Sequence, residues 1–309
     1  MIFFRMMAPG RLPVLLLALL AWGCGTTSGS GVNETGEGAE TAQTVEEELP
    51  WPVLVSGLRD AAALDVVPTD GRILILERGR HRLLVIGDDG TRLDSLGVRG
   101  RGNYRFDTPE SLDATNGLQL FVSDLNNGRV QQFDRRLSYL SSIKPSGAAD
   151  SDGFFRPGPL VVNTFGELFV TDADSGELLR FDRNGRLLQR TDLRDSELML
   201  PVRGMLVRED VLFILESGRG LVHELGSQGS WRRFIAGTEG SMAVAAERDL
   251  FWVISAGELA AFSWEGREMQ RFRHGISEPA TGLAAGVEAL YVLTATAVYR
   301  IPRSAITEG

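Results

Sequence analysis

LFVSDLNNGRVQQFD, residues 120–134, and LFVTDADSGELLRFD, residues 168–182, are two copies of one pattern that lie 48 residues apart in the chain. In each copy an apolar run ends in an aspartate, a polar turn follows, and a second run ends in Phe-Asp. Runs rich in β-branched and aromatic residues on both sides of a polar turn predict a pair of antiparallel strands. This stretch decides the fold because the rest of the chain repeats its pattern.

The pattern occurs six times between residue 51 and the end of the chain. We call the residue that ends each first run the marker, and its spacings along the chain are 47, 48, 44, 39 and 39 residues. Periods of this size, with several short strands in each, are typical of propeller blades. The sequence therefore predicts an all-β fold, a six-bladed β-propeller of four-stranded antiparallel blades. The six markers are Glu77, Asp124, Asp172, Glu216, Ser255 and Thr294.

The sixth repeat is too short to complete its own blade. Only eight residues follow Ile301, and Pro302 cannot donate a ladder hydrogen bond. One apolar segment, residues 51–56, precedes the first repeat and belongs to none of them. We predict that this segment pairs beside Ala297–Ile301 as the outermost strand of the last blade and so closes the ring.

The two clearest copies resemble NHL repeats. The matching residues are Phe121-Val122-Ser123-Asp124, Asn127-Gly128-Arg129-Val130 and Phe133-Asp134 in one copy, and Phe169-Val170-Thr171-Asp172 and Phe181-Asp182-Arg183-Asn184-Gly185 in the other. The resemblance extends in outline over residues 58–302 and implies a six-bladed propeller. Some six-bladed relatives are enzymes, gluconolactonase-like hydrolases and amidating lyases, which hold a metal in the central tunnel. Such repeats specify a fold rather than an activity.

The beginning of the chain has the features of an export signal. Arg5 and Arg11 precede a short apolar run, and residues 20–25, LAWGCG, resemble the lipobox of bacterial lipoproteins. Cys24 is the only cysteine, and we predict lipid attachment there after removal of residues 1–23. The alternative is an ordinary cleaved signal with an incidental cysteine. Residues 24–50, rich in Gly, Ser, Thr and Glu, predict a disordered tether, and residues 51–309 form the propeller.

The net charge of −9 argues against a nucleic-acid partner, which requires a basic surface. Signal, anchor and tether together predict a location in the cell envelope, on the periplasmic side of the outer membrane or at the cell surface. The membrane contact is then made through the lipid.

The predicted innermost strands place one residue of each repeat at the tunnel mouth. Only Glu110 among them is a good ligand for a hard cation, and Arg203 would repel one. The three histidines lie in different repeats without metal-ligand spacing. We therefore predict no metal, no cofactor and no catalytic set. The six aligned positions are Ala62, Glu110, Gly158, Arg203, Gly240 and Thr281.

The marker acids allow two interpretations. Asp124 and Asp172 would each cap the turn that follows by accepting backbone N–H groups two residues on. Alternatively, the markers form a ring of carboxylates on one face, which Ser255 and Thr294 would interrupt. We favour the structural interpretation.

These observations favour a membrane-anchored, non-catalytic binding scaffold that presents its loops to an unidentified protein or peptide. Candidate binding residues are Glu110, Arg203, Arg105 and Arg156. The alternative is a gluconolactonase-like hydrolase or lyase that acts on a small molecule at the tunnel mouth.

Overall fold

A computed structural model describes residues 51–145, 155–195, 198–209, 211–216, 219–226, 230–234 and 240–307. The predicted signal peptide, Cys24 and the tether lie outside the described residues. Within the described ranges, no helix is both long and apolar enough to cross a bilayer.

Six four-stranded antiparallel sheets confirm the predicted propeller. In every blade the first strand is innermost, and strands follow one another outward. Blade one contains β2 (Ala61–Val66), β3 (Ile73–Glu77), β4 (Arg82–Ile86) and β5 (Arg92–Leu96); blade two contains β8 (Pro109–Asp113), β9 (Gln119–Asp124), β10 (Arg129–Asp134) and β11 (Tyr139–Ile143); blade three contains β12 (Pro157–Val162), β13 (Leu168–Asp172), β14 (Glu177–Phe181) and β15 (Leu187–Asp192).

The other three blades have the same order. Blade four contains β16 (Val202–Arg208), β17 (Val211–Glu216), β18 (Val222–Leu225) and β19 (Trp231–Phe234); blade five contains β20 (Ala243–Ala246), β21 (Leu250–Ile254), β22 (Glu258–Ser263) and β23 (Glu268–Arg273); blade six contains β24 (Ala280–Ala285), β25 (Ala289–Thr294), β26 (Ala297–Pro302) and β1 (Val53–Ser56). A short parallel pair, β6 (Val98–Arg99) and β7 (Arg105–Phe106), connects blades one and two, and a short helix α1 (Arg303–Thr307) follows β26.

The core of the described chain is divided among the gaps between blades. Successive residues of a strand face opposite sides of the sheet, so each blade is apolar on both sides and needs a neighbour on both. Between blades two and three, for example, Phe121 and Val130 pack with Leu160 and Leu179. Each of the six gaps holds one such cluster. Closing the ring therefore buries apolar surface that an open row of blades would expose.

The predicted closure by the first strand is confirmed. β1 pairs antiparallel with β26, with Val53 opposite Tyr299 and Ser56 opposite Ala297. The contact continues beyond β1, since Trp51 donates its indole N–H to the carbonyl of His274 and packs edge-on against Phe272 in blade five. The two ends of the domain thus complete one sheet, and the outer edge of β26 is covered.

The two faces of the ring carry different connections. The front face carries the turns between second and third strands and the connections that lead into the first strands. The back face carries the turns between first and second strands and between third and fourth strands. Because β1 is a fourth strand, it runs from the back face towards the front. Trp51 precedes β1, and its side chain reaches His274 in the front connection into blade six.

Candidate functional site

The second residue of each first strand lies at the front end of the tunnel. In five blades the ladder between first and second strands shifts register at this residue, namely at Ala62, Glu110, Gly158, Arg203 and Thr281. In blade five the pairing of Ala243 with Ile254 gives this position to Met242. The predicted Gly240 is therefore two residues too early. The mouth position was predicted as the second residue before the first apolar residue of each repeat. In blade five that apolar residue, Met242, is itself the mouth residue, so the prediction fell two residues early.

Glu110 belongs to an ion-pair cluster that joins blades one and two. One carboxylate oxygen of Glu110 accepts a hydrogen bond from Arg78 Nη1 at 2.7 Å. The same guanidinium donates to both oxygens of Asp60, at 2.7 and 2.8 Å. Arg78 lowers the pKa of Asp60, chiefly through these hydrogen bonds, so this carboxylate stays ionised. Both carboxylates on this side of the mouth are thus already bonded to a cation of the same chain.

The next two blades around the ring, three and four, hold two exposed arginines at their front ends. Arg203 is the second residue of β16, and Arg156 directly precedes β12. Both side chains are exposed. Among the described residues, neither guanidinium has an ion pair within 4.0 Å, in contrast to Arg78. Two exposed cations, neither of them ion-paired with any described residue, therefore lie at the front ends of blades three and four.

Arg105 lies away from this mouth. It is part of β7, and its carbonyl accepts hydrogen bonds from Arg129 Nη2 at 2.9 Å and from Gln131 Nε2 at 2.7 Å. Both donors are on β10, the third strand of blade two, whereas the tunnel is lined by first strands. The structure therefore places Glu110, Arg156 and Arg203 around one opening and Arg105 farther out.

The marker acids are buried and bond to the connections that lead into their own blades. Glu77 accepts the N–H of Arg59 at 2.8 Å, and Asp124 accepts that of Asp107 at 2.7 Å. Asp172 and Glu216 accept backbone N–H groups of the corresponding connections, at 3.0 and 2.9 Å. The predicted local cap is confirmed for Asp172, which also accepts the N–H of Asp174. These carboxylates hold loops in place and do not form an open ring.

Blade two shows how such a buried acid is neutralised. Asp124 accepts from Arg129 Nε at 2.9 Å and from Asn127 Nδ2 at 2.8 Å. Arg129 in turn donates to the carbonyl of Gly102. Burial nevertheless raises the pKa of Asp124. In blade four the hydrogen bonds from Arg219, from the N–H of Met199 and from His223 together outweigh burial, and the pKa of Glu216 is lowered.

A second carboxyl pair was not predicted from the sequence. Asp65 on β2 accepts the N–H of Ala114 at 2.7 Å, and Asp113 on β8 accepts the N–H of Val162 at 2.8 Å. Each acid thus satisfies an inner-strand N–H of the next blade. Burial, and secondly the charge of Asp113, raises the pKa of Asp65 to about 7. The available signal was an aspartate at equivalent positions of two repeats, 48 residues apart.

The mouth residues do not suit the divalent metal that gluconolactonase-like hydrolases and amidating lyases hold in the central tunnel. A hard cation needs several oxygen ligands, and Glu110 is the single carboxylate among the six mouth positions. Its oxygen is bonded to Arg78, and Arg203 adds positive charge across the opening. Elsewhere in the described residues, no group of three His, Cys, Asp or Glu side chains could hold a metal ion.

Solved structures share the fold but little sequence. Virginiamycin B lyase from Staphylococcus aureus aligns over 79% of this chain and 84% of its own, with a TM-score of 0.56 and 10% identity. A gluconolactonase from Xanthomonas campestris aligns over 81% and 88%, with a TM-score of 0.60 and 15% identity. A chain of the nidogen–laminin complex aligns over 72% and 84%, with a TM-score of 0.57 and 16% identity.

No protein-family model and no curated protein matches the chain. At these levels of identity the similar structures show the propeller fold alone. Enzymes and a protein–protein complex both occur among them, so the fold does not choose between catalysis and binding.

Proposed function

We propose that this chain is a non-catalytic binding module of the bacterial cell envelope, which holds a protein or peptide partner on its front face. One observation carries the proposal: the mouth presents the exposed guanidinium groups of Arg156 and Arg203, which pair with no described acid, while its carboxylates, Asp60 and Glu110, are bonded to Arg78. Such a mouth is suited to recognising a group by charge and hydrogen bonds, and it lacks the oxygen ligands of a metal-dependent active site.

Attachment through Cys24 and NHL-like repeats are parts of the same proposal. The predicted tether ends just before Trp51, the first described residue of the domain. As a flexible coil, the twenty-six residues 25–50 would span roughly 30 Å. A lipid on Cys24 would therefore keep the domain close to a membrane, on the periplasmic side of the outer membrane or at the cell surface.

The anchor is tested by fractionating cells that express wild type or Cys24→Ser. Acyl chains contribute about 0.8 kcal/mol for each buried CH₂, and two or more chains hold a protein durably. We expect wild type in the membrane fraction and Cys24→Ser in the soluble fraction. Unchanged membrane association of Cys24→Ser would reject lipidation at this residue.

The partner is tested by affinity capture from native membranes with matched baits. Wild type and Arg183→Ala, a change in an exposed back-face turn, should retain the same partner. A variant with both Arg156→Ala and Arg203→Ala should lose it. Equal capture by all three baits would place the partner elsewhere and reject the front face as the binding site.

A hydrolase or lyase is the second candidate, supported by the lyase and the gluconolactonase among the similar structures. If a metal served such an enzyme, metal at 100 times its dissociation constant would add about 2.7 kcal/mol to the stability. We expect the melting temperature to stay the same in EDTA, CaCl₂ and ZnCl₂. A clear fall in EDTA that CaCl₂ or ZnCl₂ reverses would support the enzyme instead.

A further inference from the structure

We propose that the mouth binds a carboxylate of an acidic peptide segment whose neighbouring residues are apolar. This inference rests on the proposed binding function and names the chemistry of its ligand. The carboxylate is held between Arg156 and Arg203, and the apolar residues of the peptide contact Met199, Leu200 and Met242.

The two arginines come from neighbouring blades. β12 and β16 are adjacent inner strands with Cα atoms within 8 Å of one another, and Arg156 and Arg203 are at their front ends. A guanidinium presents a planar fork of donors that matches a carboxylate with two parallel hydrogen bonds. Two such forks on one side of an opening can hold a single carboxylate from both sides.

The buried marker acids of the same blades are already bonded. Asp172 accepts the backbone N–H of Arg156 and the hydroxyl of Ser175, at 3.0 and 3.1 Å. Glu216 accepts from Arg219 Nε at 2.6 Å and contacts His223 Nε2 at 2.9 Å. These buried markers therefore leave the exposed guanidinium groups available to an external anion.

Exposed apolar side chains precede Arg203 in the same front connection. Met199 and Leu200, in the connection that leads into β16, are 48% and 39% exposed. Met199 is held in place by its backbone N–H, which Glu216 accepts at 2.9 Å. Met242, the next mouth residue around the ring, in blade five, is half-buried and packs against the cluster between blades five and six. Methionine and leucine side chains adapt to varied apolar partners, which suits a peptide rather than a fully charged polymer.

The front ends of blades one and two are less favourable for an anion than those of blades three and four. Asp60 and Glu110 share Arg78, so the front ends of blades one and two present carboxylates with their cation already bonded. A peptide carboxylate therefore meets two negative groups there. The charge pattern of the ring therefore sets the position and orientation of the ligand.

The test is fluorescence anisotropy of purified protein with three labelled peptides, (Glu-Leu)₅, (Gln-Leu)₅ and (Lys-Leu)₅. We expect binding of (Glu-Leu)₅ with at least tenfold higher affinity than that of the other two. Arg203→Ala and Arg156→Ala should each weaken binding by about three- to tenfold, as expected for partly exposed charged hydrogen bonds. Arg183→Ala, the back-face control, should leave the affinity unchanged, and an unchanged melting temperature shows that each variant is folded.

Two results would overturn the proposal. Equal affinity for (Glu-Leu)₅ and (Gln-Leu)₅, or an unchanged affinity in both mouth variants, would reject the carboxylate as the bound group. Whether the front face binds a partner at all is decided separately, by partner capture from membranes. Deletion of residues 26–48, which contain six glutamates, should not change the affinity. A severalfold rise would show that this acidic segment of the same chain occupies the mouth.

Discussion

The first four blades and the last two hold their front turns in different ways. Blades one to four end the second strand in a buried acid that accepts the N–H of the connection into the same blade. Blades five and six use the hydroxyls of Ser255 and Thr294, which bond within their own turns, to residues Glu258 and Ala297. These two turns are also two residues shorter.

The last two blades satisfy their front connections by other means. In blade six the turn carbonyls of Ala295 and Thr296 accept the N–H groups of Ala61 and Leu58, which begin the next blade. In blade five the buried His274 contacts the carbonyl of Ser255 and accepts the N–H of Ile276. The comparison shows that the marker acids stabilise the longer front turns by bonding to the adjoining connections. The exposed mouth residues are therefore the better candidates for function.

The largest loss of stability is expected on deletion of β1, the strand that joins the two ends of the propeller. Deletion of residues 51–56 removes β1, exposes the edge of β26 and eliminates the Trp51 contacts with blade five. We expect loss of cooperative unfolding or a fall of more than 10 °C in melting temperature, by calorimetry. Deletion of residues 26–48 is the control and should change little. A stable, cooperative protein without residues 51–56 would contradict closure by β1.

The two kinds of marker should differ in the energy lost on substitution. Asp124→Ala leaves the buried Arg129 without its carboxylate, and such a break costs about 3–5 kcal/mol. Ser255→Ala removes hydroxyl bonds within a turn and should cost about 1 kcal/mol. Urea unfolding of both variants measures these values. Similar losses would mean that the acid and the hydroxyl have equivalent roles.

The carboxyl pair of blades one and two predicts a pH dependence of stability opposite in sign to that of Glu216 in blade four, whose pKa is lowered. The pKa of Asp65 is higher in the folded protein than in the unfolded chain, so the folded state binds more protons. Its contribution to stability is greatest below pH about 4 and falls as the pH rises towards 7, by at most about 1.4 kcal/mol per pH unit.

Asp65→Asn isolates this contribution from that of other acids. The stability of wild type should fall relative to that of Asp65→Asn between pH 4.5 and 7, as measured by urea unfolding at each pH. Parallel stability curves for the two proteins would show that Asp65 is not protonated in the fold over this range.

The smallest effect on stability is expected at the mouth. Arg203 is exposed and has no ion pair among the described residues, so Arg203→Ala should change the free energy of unfolding by less than about 0.5 kcal/mol. Glu110→Gln breaks an ion pair that is about one-third exposed and should cost at most about 1 kcal/mol. A larger loss for Arg203→Ala than for Glu110→Gln would assign Arg203 a structural role.

The repeats made the architecture predictable, since markers at regular spacing and an unassigned apolar segment at residues 51–56 both follow from strand pairing. The site was harder to predict. Glu110 and Arg203 were found by their place in the repeat, but Met242 was missed because an apolar residue took the mouth position. Two contacts could not be predicted from residue spacing, because they depend on how neighbouring blades pack. They are the ion pair between Glu110 and Arg78 and the hydrogen bond that Asp65 accepts from blade two.

The central claim is that the front mouth of the propeller is where a partner binds. Its most direct test is a photo-crosslinking residue introduced in living cells at Met242, in the mouth, or at Val287, an 88% exposed residue in a back-face turn. The account predicts one discrete protein adduct from Met242 and none from Val287, and its loss when Arg156→Glu and Arg203→Glu are combined with the probe at Met242. An adduct from Val287 alone, or one from Met242 that survives both charge reversals, would contradict it.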